Sequence, residues 1–158
     1  MSTRCLPDLL GGLTLVAGPL GLNAIRFECA SASCDDDPVL LRAELQLREY
    51  AAGERSVFDL PLEPAGTTFQ LEVWRALAAI PYAETRSYRD IAQAVNRPKG
   101  YQAIGQANTR NPLPVVIPCH RVINADGSLG GYAGGLERKK NLLAHEEKYA
   151  HRFRQTAA

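Results

Sequence analysis

A thiol next to an imidazole is the most reactive pairing in this 158-residue sequence: Cys119 and His120 sit in the run Ile117-Pro118-Cys119-His120-Arg121-Val122. A cysteine attacks as its thiolate, so a nucleophilic role requires a base or a positive environment beside it. Neighbours in an extended chain point to opposite faces, so contact between the two needs a sharp turn or a bridging water, and Pro118 helps to fix such a turn. A histidine base is usually held by a third group at its other nitrogen. Glu146 is the candidate, four residues after Leu142 and three after Leu143, on the inward side of a helix. A carboxylate buried there without a partner would be costly, and His120 can supply one. Glu147 lies a helical step away and reads as solvated. The same three residues also fit a blander reading: a core cysteine, a satisfied structural histidine, and a glutamate paired with an arginine.

The segments around them are legible as elements. Leu13–Ala17 and Leu22–Phe27 read as strands around the turn Gly18-Pro19-Leu20-Gly21. Asp37 caps a helix with Pro38 at its first position; Leu40, Leu41, Leu45 and Leu47 give it an apolar stripe that ends near Gly53. Val57–Leu62 reads as a third short strand and Pro64-Ala65-Gly66 as a linker. Beyond it Thr67 and Gln70 form a capping-box pattern, and Phe69, Val73, Leu77 and Ile80 lie on one helical face that Pro81 ends. Ser87 and Asp90 open a short helix through Ile91 and Val95, broken at Asn96-Arg97-Pro98. Pro98 then starts another, with Ala103, Ile104 and Ala107 as a small-residue face. Two short helices and a tight turn make a helix-turn-helix, a common but not exclusive DNA-docking device. Asn111-Pro112-Leu113-Pro114 leads rigidly into Val115–Ile117, which reads as a buried strand. Asn124–Gly127 is a turn, residues 130–135 a glycine-rich loop, and a last helix runs from about Gly135 to Glu146.

Composition sets the outer limits. Hydrophobic residues make up 46% and charged residues 22%, which suits a globular chain with a core. Met1–Asp8 lacks the apolar region of a signal peptide and no apolar stretch approaches a membrane span, so the expected location is the cytoplasm, with no membrane partner. The net charge of +1 conceals an asymmetry: residues 1–66 hold five basic and ten acidic side chains, residues 67–158 thirteen and seven. A polyanion is attracted to the second part and repelled by the first, although an uneven solvating surface would show the same pattern. No CxxC pair occurs, and Cys5, Cys29 and Cys34 are expected to be reduced and merely packed.

Taken together, Pro118-Cys119-His120-Arg121-Val122 resembles the active-site signature of the O6-alkylguanine-DNA alkyltransferases. The resemblance extends from Phe69 to Glu146 through Ser87-Tyr88, Asn111-Pro112, Gly131-Tyr132-Ala133-Gly134-Gly135-Leu136 and Leu142-Leu143-Ala144-His145-Glu146, about half the chain. Residues 1–66 share only a coarse strand–strand–helix–strand plan with that family. The fold this implies is α+β: a small antiparallel-sheet, ribonuclease-H-like N-terminal domain over 1–66, and a mostly helical domain with a helix-turn-helix over 67–158, which binds DNA and accepts the alkyl group.

The resemblance also implies roles. Cys119 would be the acceptor, His120 the base acting through a water, Glu146 its orienting group, and Asn111 a brace for the turn between recognition helix and active-site strand. Tyr88 would sit against the flipped nucleotide and favour protonation of the departing base. Val122, Tyr132, Ala133 and Gly134 would wall the base pocket. A recognition helix over 98–108 would enter the minor groove of double-stranded DNA carrying alkylated bases, with Arg97, Lys99, Tyr101, Gln102, Ala103, Arg110 and Arg121 as the DNA-binding side chains. The reaction implied is a single, irreversible transfer from O6-alkylguanine, and from O4-alkylthymine, to Cys119 by a monomer that inactivates itself. It uses no cofactor and no metal is expected, although some animal relatives carry a metal on residues like Cys5 and Cys29. Cooperation along DNA is left open.

Two positions depart from the family. Gln102 stands where members usually place an arginine that inserts into the base stack, and it lacks the charge and flat guanidinium. Ala133 stands where some have serine. Three other readings compete. A lesion-binding relative would lack the cysteine. A Cys-His-Glu hydrolase would need an oxyanion hole and leave the helix-turn-helix unexplained. A DNA-binding regulator would leave Pro118-Cys119-His120 idle.

Overall fold

The structure, a computed structural model, describes residues 1–29 and 33–153. The chain divides into two compact units, Met1–Ala65 and Gly66–Ala158. The class is α+β.

The first unit is built on an antiparallel sheet in the order β1-β2-β3: Ser2–Leu6, Leu13–Ala17 and Leu22–Arg26. β2 pairs Leu13 with Leu6 and Thr14 with both Cys5 and Arg26, with an irregularity at Val16/Ala17. β1 has no apolar alternation of its own; its pairing with the buried central strand makes it a strand. Helix α1 (Pro38–Ala51) opens as expected, with the Asp37 side chain accepting from Val39 N–H and proline in the first turn. It packs on the sheet with Leu40, Ala43, Gln46, Leu47 and Tyr50. The expected stripe is corrected in part, because Leu41 and Leu45 are exposed on the opposite face. The expected strand at Val57–Leu62 is not one: only Leu62 bridges to Leu22, and Pro61, which has no N–H to donate, contributes its carbonyl to Leu22 N–H at 2.8 Å.

The cysteines of this unit also differ from expectation. Cys5 and Cys29 form a disulfide with Cα atoms 5.4 Å apart; among the described residues Cys34 and Cys119 are free. The cause is the register. Thr14 pairs with Cys5, and its hydroxyl donates to the Glu28 carbonyl at 2.5 Å, which brings Cys29 back to β1.

The second unit is mostly helical. Helix α2 (Thr68–Ala78) has the capping box read from Thr67 and Gln70, and buries Val73, Trp74 and Leu77. A short strand β4 (Arg86–Ser87) leads into α3 (Tyr88–Ala94), whose capping box pairs Ser87 with Asp90. The α3 exit is a Schellman turn: Asn96 has φ +59°, its N–H reaches Gln93 O, and Arg97 N–H reaches Ala92 O. Helix α4 (Tyr101–Thr109) packs on α3, completing the helix-turn-helix. It starts three residues later than expected, with Pro98 in the turn and Gly100 at the N-cap. The Trp74 indole N–H donates to Ala107 O at 2.8 Å and ties α4 to α2.

After α4 the expected strand Val115–Ile117 is replaced by a buried turn, closed by Ile117 N–H to Leu113 O at 2.8 Å. Val115 takes φ +74° there, a strained conformation for a β-branched residue. A 3-10 turn (Cys119–Arg121) runs into strand β5 (Val122–Ile123), which pairs in parallel with β4. Helix α5 (Leu136–Tyr149) follows, with Lys139, Leu142 and Glu146 on its buried face, and leads into a 3-10 turn (Ala150–Arg152). No helix among the described residues is long and apolar enough to cross a membrane.

Candidate active site

Cys119 is set by three local constraints. Pro118 has φ −79° and ψ 67°, and Cys119 N–H donates to Ile117 O at 2.7 Å, so the chain makes an inverse γ-turn just before the thiol. The Asn111 amide braces it, donating to Ile117 O at 2.7 Å while its oxygen accepts Leu113 N–H at 3.0 Å. The Asn108 amide, buried at the end of α4, reaches Cys119 O at 3.4 Å. The sharp turn needed to place a thiol and an imidazole together is therefore present.

His120 is wholly buried, and its Nε2 lies 2.7 Å from Glu146 Oε2. An ionised carboxylate only accepts, so the hydrogen sits on Nε2 and Nδ1 carries the lone pair. Nδ1 meets no hydrogen-bond partner among the described residues. Burial lowers the His120 pKa against the pull of Glu146, with Arg121 and Lys139 adding to the decrease. Burial by itself would raise Glu146, but His120 and Arg121 overrule it and hold the carboxyl well below its ordinary range.

Around the sulfur the balance is different. Burial pushes the Cys119 thiol up to about 11, opposed by hydrogen bonds from Asn111 and Tyr132 and by the charge of Lys139. Tyr88 and Tyr132 are both raised, by burial and by the neighbouring Cys119. Cys119 thus rests as a thiol, and a nucleophilic role for it would require a base within reach.

A cavity of about 440 Å³ lies in this unit, lined by Tyr88, Tyr101, Gln102, Gly105, Gly130 and Gly131 among others. Its glycines matter: a Cβ on Gly130 would meet the Tyr88 hydroxyl at 3.1 Å, so glycine lets the loop close against the ring. Tyr88 is both a wall of the cavity and a neighbour of Cys119. Gln102 and Ala103 are exposed on the first turn of α4, Arg97 and Lys99 in the preceding turn, and Arg110 just past its end. Val122 is buried, Gly134 half-buried and Ala133 exposed.

Arg121 is a correction. Expected to touch DNA, it is buried, with Nε and Nη2 at 2.8 and 3.0 Å from the Glu146 oxygens and Nη1 donating to Ile80 O at 2.7 Å. Sequence reasoning missed Lys139 altogether. It is completely buried and its ammonium donates to the carbonyls of Val122, Leu129 and Gly131, joining β5 to the glycine-rich loop. The signal was available: Lys139 precedes Leu142 by three residues and Glu146 by seven, the spacing of one helical face.

A family model described as the 6-O-methylguanine DNA methyltransferase DNA-binding domain matches residues 68–148. A methylated-DNA–protein-cysteine methyltransferase of Mycolicibacterium paratuberculosis is 52% identical over 153 residues, 93% of each chain. One from Methanosarcina barkeri is 48% identical over 145 residues, 87% of this chain and 92% of the relative. The crystal structure of Mycobacterium tuberculosis OGT in complex with DNA superposes with a TM-score of 0.86 at 40% identity, over 94% of both chains. A cysteine on a braced turn, a histidine–carboxylate pair behind it and this degree of likeness have one meaning: the chain belongs to the methylated-DNA–protein-cysteine methyltransferase family.

Proposed function

We propose that this protein repairs alkylated DNA by moving the alkyl group from O6 of guanine, and from O4 of thymine, onto Sγ of Cys119. One observation carries the assignment to that residue: Cys119 stands on a turn fixed by Asn111, next to a neutral imidazole whose Nδ1 is free to accept a proton.

In the first step the Cys119 proton passes to His120 through a water, and Glu146 keeps the imidazole oriented. The thiolate then attacks the alkyl carbon; an S–C bond forms as the O–C bond breaks, and the electron pair stays on the base. The proton taken from Cys119 ends on the departing base: His120 gives it up through water and the Tyr88 hydroxyl relays it, so the base leaves neutral and both side chains return to their starting forms. The product is a thioether, which water does not reverse, so each chain acts once. The atoms balance with no cofactor. Because the alkylated oxygen lies in a stacked, paired base, the nucleotide must flip, and the cavity beside Tyr88 and Gly130 is its receptor. Tyr132, Ala133 and Gly134 continue the same loop beyond the cavity lining and would close on the base from that side.

In this reading residues 67–158 are the DNA-binding and alkyl-acceptor domain and residues 1–66 a ribonuclease-H-like N-terminal domain. Helix α4 enters the minor groove of the duplex, with Tyr101, Gln102 and Ala103 leading and Arg97, Lys99 and Arg110 on phosphates. The protein works as a monomer in the cytoplasm.

The test is intact-protein and peptide mass after mixing with excess duplex carrying one O6-methylguanine. One added methylene on Cys119, reaching one per chain and stopping, is expected. Tight binding without a mass change would make the chain a lesion sensor instead, and neither binding nor transfer would return the Cys-His-Glu hydrolase to consideration.

A further inference from the structure

Glu146 is not held by His120 alone. Its two oxygens accept four N–H groups: His120 Nε2 at 2.7 Å, Arg121 Nε at 2.8 Å, Arg121 Nη2 at 3.0 Å and Ala83 N at 3.1 Å. The third Arg121 contact, to Ile80 O, anchors the guanidinium on the backbone just beyond α2, so the fork cannot swing away from the carboxylate.

We infer that Arg121 is a positioning residue for the transfer reaction, keeping His120 a neutral base by cancelling the Glu146 charge. The inference rests on the reading of Cys119 as acceptor and His120 as base. A carboxylate next to a histidine ordinarily favours the imidazolium. Here the bidentate guanidinium already neutralises that carboxylate, and a proton on His120 would leave the buried cluster with an excess positive charge. Burial already disfavours the imidazolium, and the guanidinium offsets the opposing pull of Glu146, so the imidazole stays uncharged, with its hydrogen on Nε2 and Nδ1 left to receive the Cys119 proton. The burial of Arg121 is thereby explained as part of the site rather than of the DNA surface.

Glu146 and Lys139 on α5, and Arg121 on the 3-10 turn, face His120. His120, Arg121 and the phenol of Tyr82 face Glu146, and burial keeps that phenol protonated by pushing it up to about 12. Arg121 meets the Glu146 carboxylate directly, through Nε and Nη2 at 2.8 and 3.0 Å.

The experiment is NMR titration of the His120 ring, read from its nitrogen and Cε1 shifts, in the DNA-free wild-type protein and in Arg121→Met, Arg121→Gln and Arg121→Lys. The wild type should show the neutral Nε2–H form from pH 8 down to below the ordinary histidine midpoint of about 6.5. The Met and Gln variants should move the midpoint upward by about one to two pH units. The Lys variant, which restores the charge, should stay near the wild type. Methyl transfer by the Met and Gln variants should be slow at neutral pH and recover as the pH rises through the new midpoint. A purely structural arginine would lower stability or rate without moving that midpoint.

A charged His120 in the wild type at pH 7 overturns the inference, and this measurement stands even if no variant folds. An unmoved midpoint in a folded Met or Gln variant overturns it as well. Failure of the repair reading looks different: the titrations would behave as described while Cys119 gained no methylene.

Discussion

Replacing Lys139 by methionine removes an ammonium and three hydrogen bonds at nearly constant volume, and two opposing terms decide the outcome. The Val122 carbonyl is buried, and losing its donor costs about 1–3 kcal/mol. The Leu129 and Gly131 carbonyls lie on a half-buried to exposed loop where water can replace the donor, so each loses about 0.5–1.5 kcal/mol. The loss amounts to about 2–6 kcal/mol. Against it stands the burial of the charge. Burial lowers the Lys139 pKa from 10.5 to about 8, which at 1.36 kcal/mol per unit is a cost of up to about 3 kcal/mol for the charged form. At neutral pH the two partly offset, and the variant should lose between about −1 and 3 kcal/mol of stability.

The pH dependence is sharper. The folded-state pKa lies below the unfolded one, so between about pH 8 and 10.5 the unfolded chain binds more protons and stability rises with pH. Wild-type protein should therefore gain up to about 3 kcal/mol over the methionine variant across that window. Urea denaturation of both proteins at pH 7, 8.5 and 10 measures the gap, and titrations common to both cancel in the difference. A gap that stays constant from pH 7 to 10 would refute the account of Lys139 as a charged group held against its desolvation cost.

Two further outcomes are expected. Asn111→Ala leaves the buried Leu113 N–H without its partner and the Ile117 carbonyl with only Cys119 N–H, and should cost about 1–3 kcal/mol in denaturation while slowing single-turnover methyl transfer. Transfer at the wild-type rate would show that the turn holds Cys119 without this brace. Gln102→Arg adds a cation at the cavity wall and should repair an O6-methylguanine duplex faster and bind it more tightly, with a salt slope steeper by about one released counterion. Equal or slower repair would count against Gln102 as the limiting substitution.

The starts of α1, α2 and α3 were legible from the sequence because their causes are local, whereas α4, whose N-cap Gly100 has no side chain to signal it, began three residues later than expected. Thr67 with Gln70, Ser87 with Asp90, and Asp37 before Pro38 satisfy orphan N–H groups within one turn, and each capped the expected helix. Strands were less so. Val57–Leu62 and Val115–Ile117 carry the β-branched and apolar residues of buried strands, but an apolar run reads the same in a buried turn. What prevents pairing is prolines at 61 and 114 and, at Val115, a positive φ imposed by the closure of Ile117 N–H on Leu113 O. β1 was invisible for the converse reason: Ser2–Leu6 has no pattern, and its partner strand defines it.

The candidate site divides along the same line. Glu146 was found because a carboxylate on an apolar helical face demands a partner, an argument that needs only spacing. The same argument extends further. One imidazole N–H cannot satisfy two buried carboxylate oxygens with about four lone-pair sites, so a second donor had to exist, and a charged one was the cheapest way to keep the carboxylate ionised. Arg121 was within one residue of the proposed base, yet its place in a basic half of the chain made phosphate the more obvious partner. A rule that spends buried charges first and surface charges second would have assigned Arg121 to Glu146. Applied to α5, the same rule makes Lys139 an inward cation with no inward anion left for it, which leaves only backbone carbonyls, and those of the loop beside Cys119 are where its ammonium is found.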